Sequence, residues 1–302
     1  MTRLAEALRR AEDPSGTVAP TSDTQPAGKP LTPVPDTLRV QRDDRAWVED
    51  LEIQKDPTLG VFHGFSAAAV DKLVITPTVP HAAVEQYRKL AASLHHAQLE
   101  RQIKVVMITS AAPGEGKTLT STNLALTLSQ SYRRRVLLID ADLRRPSVHA
   151  VFDVPNVLGL SDGLKSETDQ KLSLIQISEH LTVLPAGRPD SDPMSGLTSD
   201  RMRRLVAEAA ARFDWVLIDT PPVGFLSDAN LLAAMVDVTL FVVRAGKSPF
   251  RLIQRALDAV GRNRIIGVVL NGIKESDDVV GYGYYGYYGH YGPQMKPGKR
   301  LS

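Results

Sequence analysis

Between Ile103 and Leu270 the chain alternates short apolar runs with longer stretches of helical periodicity. The runs are Ile103–Thr109, Arg135–Ile139, Leu181–Leu184, Trp215–Ile218, Val238–Val243 and Ile265–Leu270. They are nearly unbroken by polar positions, the pattern of strands covered on both faces. Helical patterns fall between them over Lys117–Ser131, Ser199–Arg212, Asp228–Met235 and Phe250–Gly261, and another, about His81–Gln102, precedes the first strand. Strand–helix alternation predicts an α/β domain, a mainly parallel sheet flanked by helices on both faces. Right-handed crossovers then gather the loops that follow the strands on one edge, where ligands bind.

The flanks differ. Residues 2–12 predict a short amphipathic helix, with Leu4, Ala7, Leu8 and Ala11 on one face and Arg3, Arg9 and Arg10 beside it. Its small apolar face suits a helix docked on its own domain or frayed in solvent; the alternative is a docking helix for a partner or an anionic membrane surface. Residues 13–45 carry Pro14, Pro20, Pro26, Pro30, Pro33 and Pro35 and read as a disordered linker. Residues 46–80, interrupted by Pro57, Pro77 and Pro80, predict a partly ordered lead-in to a domain over 81–275. Residues 276–302 form a flexible tail, in which Gly281–Gly292 reads GYGYYGYYGHYG. Six of the chain's eight tyrosines stand there: Tyr282, Tyr284, Tyr285, Tyr287, Tyr288 and Tyr291.

Composition narrows the classes. A chain of 302 residues, 43% apolar and 23% charged, is that of an ordinary globular protein. The net charge of +2 and the lack of a basic stripe interleaved with aromatics argue against a nucleic-acid partner. Cysteine is absent, which excludes disulfides, thiolate metal sites and cysteine nucleophiles and fits a reducing compartment. No apolar run reaches the ~18 residues of a membrane span, and the N-terminus lacks a secretory core. The expectation is a cytoplasmic protein whose membrane contact is peripheral or made through a partner.

Ser110–Thr118 reads SAAPGEGKT between a predicted strand and a predicted helix, the context of a phosphate-binding Walker A loop. Gly114 and Gly116 let the backbone approach phosphates, and N–H groups from Gly114 to Thr118 can ring them at the positive end of the helix. Pro113, Gly114, Glu115, Gly116, Lys117, Thr118 and Leu119 are thus the expected ATP-binding residues, with Lys117 spanning the β- and γ-phosphates and Thr118 on Mg²⁺. Ala111 replaces the usual first glycine, so loop entry must avoid positive φ there. Two further strands end in carboxylates. Asp140 and Asp142 stand in Val136–Arg144, VLLIDADLR, and Asp219 in Trp215–Pro222, WVLIDTPP. Carboxylates beside a phosphate loop suit Mg²⁺, which takes one or two of them plus phosphate oxygens and water. One could accept a proton from an attacking hydroxyl. Each taken singly is equally well read as a helix cap.

Together these motifs resemble the bacterial tyrosine kinases of capsule and exopolysaccharide synthesis. The family's SxxPGEGKT, IDxDxRxP and IDTPP stand here as Ser110–Thr118, Ile139–Pro146 and Ile218–Pro222, within a match from about Glu85 to Asn271, followed by a tyrosine-rich tail. The resemblance implies a P-loop NTPase fold and a protein-tyrosine autokinase that transfers the ATP γ-phosphoryl to tail tyrosines, chiefly of a neighbouring subunit. It implies catalytic roles for Lys117, Asp140, Asp142 and Asp219. Thr118, Asp142 and Asp219 would organise Mg²⁺, and Asp140 would be the base, with its division of labour from Asp142 open. Asn271 matches a position near the nucleotide base, and Arg144 matches the family arginine. Glu85 and Arg88 match a ring-building ExxRxxR helix whose last position is Ala91 here, which implies a weakened ring; alternatively Glu85 and Arg88 are an exposed ion pair of little energy.

The same resemblance implies a membrane co-polymerase partner that activates the kinase, a cognate phosphotyrosine phosphatase, and a location at the inner face of the cytoplasmic membrane. The Pro-rich arm makes the chain more similar to kinases encoded with exosortase-type systems than to the shortest stand-alone members. A positioning ATPase of the MinD/ParA type is the competing reading. That class carries a signature lysine early in the loop, where this chain has Ala112, and has no use for a tyrosine cluster. An ATP-binding regulator without phosphotransfer is a third reading; the full set of carboxylates with Lys117 argues against it.

Overall fold

The computed structural model describes residues 51–53, for their backbone, and 62, 64–166, 172–225 and 232–273. The predicted N-terminal helix, the linker, most of the predicted helix 228–235 and all six tail tyrosines lie outside these residues. Eight strands join in the order β1-β4-β5-β3-β6-β2-β7-β8. They are β1 (Leu51–Ile53), β2 (Val105–Ser110), β3 (Val136–Asp140), β4 (Leu172–Gln176), β5 (Leu181–Leu184), β6 (Trp215–Asp219), β7 (Val238–Arg244) and β8 (Ile265–Asn271). All neighbouring strands pair in parallel except β4 and β5.

The main helices are α2 (His81–Arg101), α3 (Lys117–Gln130), α7 (Asp200–Arg212) and α8 (Phe250–Val260); α1 (Ala67–Val70), α4 (Val148–Val151), α5 (Leu160–Lys165) and α6 (Pro193–Leu197) are single short turns. Strand alternation divides the core between the two faces. From β2, Val106 and Ile108 join the cluster that holds Ala91 and Leu94 of α2 and Leu124, Leu126 and Leu128 of α3. Val105 and Met107 face the cluster of Met202, Leu205 and Ala209 of α7 with Leu257 and Val260 of α8. Both faces are covered, which is why the strands read as apolar at every position. The start of α7 follows from its sequence: Ser199 caps it by accepting the Met202 N–H at 3.2 Å, and Asp200 stands in the first turn.

Three features add to the expectation. The strand β4 was not predicted, and it returns antiparallel to β5, with Ile175 opposite Val183. The lead-in is firmly docked from Gly64 on. Ser66 N–H donates to the Val151 carbonyl at 3.0 Å, and Phe62 and Phe65 pack edge-on and tilted against Phe152. Asn123 of α3 accepts from Val74 N–H at 2.9 Å and donates to the Lys72 carbonyl at 3.0 Å, which stitches the lead-in to the helix that starts at the phosphate loop. Third, the loops after β3 and β5 carry the short helices α4, α5 and α6, too brief to leave a periodicity.

Candidate active site

Because β2, β3 and β6 run parallel and adjacent, the loops that follow them open on one edge. The loop Ala111–Gly116 takes positive φ at Gly114 (75°) and Gly116 (94°), a region open to glycine at little cost. Ala111, fully buried, has no positive φ, so loop entry is made without the missing glycine. Outward-facing groups of the loop are tied down from three directions. The Glu115 side chain is 2% exposed and accepts from Ala112 N–H at 2.8 Å and from the Ser248 hydroxyl. Arg244 donates to the Gly114 carbonyl at 3.0 Å, and Asn271 Nδ2 to the Glu115 carbonyl at 2.9 Å. A Cβ on Gly116 would sit 1.9 Å from Asn271 Nδ2. No side chain caps the start of α3. Its first N–H groups are thus available to an anion, with Lys117 7% exposed beside them.

The carboxylates come from the two adjoining strand ends, where Asp140 and Asp219 are register partners. The Thr118 hydroxyl donates to Asp219 Oδ2 at 2.6 Å, and its second contact is the Ser147 hydroxyl at 2.8 Å. Asp219 is fully buried, and its Oδ1 has no hydrogen-bond partner. Burial, then the neighbouring Asp140 charge, pushes the Asp219 pKa up to about 8 against the pull of Thr118 and Lys117. Asp140, also fully buried, accepts from Ser147 N–H and Val148 N–H, both at 3.0 Å, and from Asp142 N–H at 3.2 Å. Burial raises it to about 6, opposed by those three N–H groups. Asp140 therefore does the work of a cap on the short helix α4, which tempers the base assignment: Asp142 is the one of the three carboxylates with exposed surface. Asp142 is raised by burial, while the Arg145 N–H and the charges of Lys117, Arg145 and Arg144 draw it down.

This donor set suits Mg²⁺ bound together with a nucleotide. Among the described residues no group of three or more His, Cys, Asp or Glu side chains could hold a metal ion alone. Mg²⁺ does not need one, since it keeps waters and takes phosphate oxygens. The unpartnered Asp219 Oδ1, buried beside the Thr118 hydroxyl, is the feature a cation would satisfy.

Other expected residues fall in and around this centre. Pro113 and Gly114 are exposed at the loop tip, and Leu119 packs on the core under α3. Arg144 is exposed on the loop after β3. Asn271, matched to a position near the nucleotide base, has its amide on the loop itself. Glu85 and Arg88 pair with each other on α2, half exposed, and Ala91 is fully buried. The sequence reading missed Ser147, Arg244 and Ser248. None stands in a motif, and each reaches the loop from a distant stretch of chain.

The family model described as CobQ/CobB/MinD/ParA nucleotide binding domain matches residues 106–280. The tyrosine-protein kinase YwqD of Bacillus subtilis (strain 168) is 38% identical over 215 residues, covering 70% of this chain and 90% of that protein. The tyrosine-protein kinase wzc of Salmonella typhimurium is 37% identical over 207 residues, 67% of this chain but 28% of its own length. Among solved structures, the kinase domain of the Escherichia coli tyrosine kinase ETK has 36% identity and a TM-score of 0.59, covering 67% of this chain and 80% of that one.

Proposed function

The chain belongs to the bacterial tyrosine-kinase family, built on the CobQ/CobB/MinD/ParA-type nucleotide-binding domain, and from that membership we propose that it transfers the γ-phosphoryl of ATP to tyrosine hydroxyls of its own tail. The observation that carries this reading is Thr118, the first residue after the loop lysine, bonded to the buried Asp219 whose second oxygen is unpartnered. That arrangement is a metal–phosphate site on the same edge as Asp140 and Asp142. Phosphoryl transfer asks little covalent chemistry of a protein; it needs positioning and charge stabilisation.

Each residue's part follows. The uncapped start of α3 and the N–H groups of Gly114–Thr118 would hold the β-phosphate. Lys117 would neutralise charge on the transferring group. Thr118, Asp219 and Asp142 would hold Mg²⁺, which would supply positive charge against the phosphates. The phenol proton passes to one of two carboxylates: Asp142 has the accessible oxygen, whereas Asp140 is the family-matched base but sits under the 141–147 loop. Asn substitutions separate them, since the true base loses turnover with little change in ATP affinity. A membrane polysaccharide co-polymerase as activator, a cognate phosphatase, and a site of action at the cytoplasmic membrane in exopolysaccharide synthesis complete the proposal. No helix among the described residues is long and apolar enough to cross a membrane.

Mass spectrometry of the purified chain after incubation with ATP–Mg²⁺ tests the reading. Phosphotyrosine is expected within Tyr282–Tyr291 and is lost in Lys117→Met. ATP hydrolysis with no phosphotyrosine there would leave the MinD/ParA-like switch as the better account.

A further inference from the structure

Ser147 stands where a helix cap is expected. It is the residue just ahead of α4, and a serine there ordinarily accepts from an N–H two or three residues on. Here its side chain makes no cap bond. Asp140 has taken that task, since its Oδ2 accepts from Ser147 N–H and from Val148 N–H, both at 3.0 Å. The Ser147 hydroxyl is thereby released from the helix, and it meets the Thr118 hydroxyl at 2.8 Å.

A hydroxyl has one proton to give and two lone pairs to accept with. The Thr118 proton is committed to Asp219 Oδ2 at 2.6 Å. Ser147 is therefore the donor to Thr118, and it fills one of the two lone pairs. With its proton and one lone pair both engaged, the Thr118 hydroxyl is fixed in rotation, and the remaining lone pair is free for a cation. Ser147 is itself held from both sides. Ahead of it, Arg145 N–H donates to the Asp142 carbonyl at 3.1 Å, and Asp142 N–H donates to Asp140 Oδ1 at 3.2 Å. Behind it, α4 is docked by Ser66 N–H, which donates to the Val151 carbonyl at 3.0 Å, and by the rings of Phe62 and Phe65 against Phe152. A short braced loop thus delivers one hydroxyl to one point.

Resting on the metal–phosphate reading of the site above, we propose that Ser147 is a positioning residue for the divalent cation: it acts through Thr118, fixing the direction of the lone pair that Thr118 offers the metal, and touches neither phosphate nor metal itself. Partners that orient a metal ligand typically matter by about 10- to 100-fold in metal affinity. One hydrogen bond between two half-buried hydroxyls belongs at the foot of that range, about five- to tenfold.

Cation binding by the full chain tests this without recourse to activity. The chain is saturated with ADP and titrated with Mn²⁺, an oxygen-seeking stand-in for Mg²⁺ whose free form is counted by electron paramagnetic resonance. Ser147→Ala should raise the Mn²⁺ dissociation constant about five- to tenfold. Ser147→Thr, which keeps the hydroxyl, should stay within about twofold of the unaltered chain. ADP affinity in EDTA should be unchanged in both, and the melting temperature of Ser147→Ala should hold, because the hydroxyl caps nothing. Unaltered Mn²⁺ binding in Ser147→Ala overturns the proposal. An equal loss of ADP affinity in EDTA also overturns it, by making Ser147 a prop of the phosphate loop. A second measurement compares Thr118→Val with and without Ser147→Ala. Action through Thr118 predicts no further loss of Mn²⁺ affinity in that background, and a loss as large as in the unaltered background overturns it. Failure of the unaltered ADP-loaded chain to bind Mn²⁺ sinks the metal–phosphate reading and this proposal with it. Absence of tail phosphotyrosine sinks only the kinase reading and leaves the part of Ser147 standing.

Discussion

Strand β6 carries an aspartate at each end, and the two are treated oppositely. Asp214, just before Trp215, accepts from Arg135 N–H at 2.9 Å and from the Arg135 guanidinium at 3.1 Å. Burial alone would raise its pKa, but the Arg135 N–H, guanidinium and charge outweigh it and hold it below the usual carboxylate range. At the other end, Asp219 is pushed up by burial and by Asp140, with one oxygen unpartnered. One end of the strand uses its acid to staple the fold; the other buries an acid with one oxygen unpartnered. Asp237 extends the first pattern, as its Oδ2 accepts from Lys104 N–H at 2.7 Å and Val105 N–H at 2.8 Å where β2 begins. Stability and chemistry are separated along the strands.

The contrast can be broken at either end. The largest effect belongs to the ligand edge: Lys117→Met should lower phosphotransfer by at least ~10²–10³, the scale for loss of one stabilising contact to a developing charge, with an unchanged circular dichroism spectrum. Asp219→Asn should cost activity on a similar scale, about 10², but leave the ligand-free melting temperature level near neutral pH, where the buried acid is largely protonated, and raised above about pH 8, where it removes a destabilised charge. Asp214→Ala should do the reverse, with a loss of about 0.5–1.5 kcal/mol in urea unfolding from the hydrogen bonds lost at the exposed Arg135 and little change in turnover per folded molecule.

The pH dependence sharpens the comparison. Asp219, with a folded pKa raised to about 8, contributes stability that is full below its unfolded pKa of ~4 and is lost as pH rises toward 8. The depressed Asp214 contributes above ~4, and its share is lost as pH falls through its lower folded value. Melting curves of the ligand-free chain should therefore lose the downward slope between about pH 6 and 8 in Asp219→Asn, while the raised Asp140 keeps a slope below about pH 6, and Asp214→Asn should flatten only the acid limb. A slope retained above about pH 6 in Asp219→Asn would place the tension on another group. The smallest effect is at the loop's outer clasp. Ser248→Ala removes one of two contacts on the Glu115 carboxylate. It should raise the KM for ATP several-fold, about 1 kcal/mol, at constant kcat.

Much of this was legible in the sequence because the ligand edge is written in contiguous motifs. SAAPGEGKT, DAD and IDTPP each end a strand whose six or fewer apolar positions announce it, and the structure brings Thr118, Asp140, Asp142 and Asp219 together. The clasp of Arg244 and Ser248 was not legible, since it meets the loop across more than 100 positions of chain with no signature of its own. Ser147, whose hydroxyl reaches Thr118 from the loop after β3 across 29 positions of chain, likewise has no signature of its own. Strand β4 escaped because LSLIQ is short and alternates, and its antiparallel return needs no helix to mark it. Asp140 shows a different limit. A strand-end Asp followed by a turn reads alike whether it handles a proton or caps a helix, and here its oxygens are on backbone N–H groups.

The stitch made by Asn123 bears on how the molecule can be cut. Its amide is 1% exposed and spends one donor and its acceptor on the backbone of Lys72 and Val74, and Leu73 between them is wholly buried. Begin the chain at His81, where the last long helix before the motif starts, and the amide loses both backbone partners beside a Leu-sized void, about two turns of helix from the start of α3. A fragment that keeps this stitch begins ahead of Lys72.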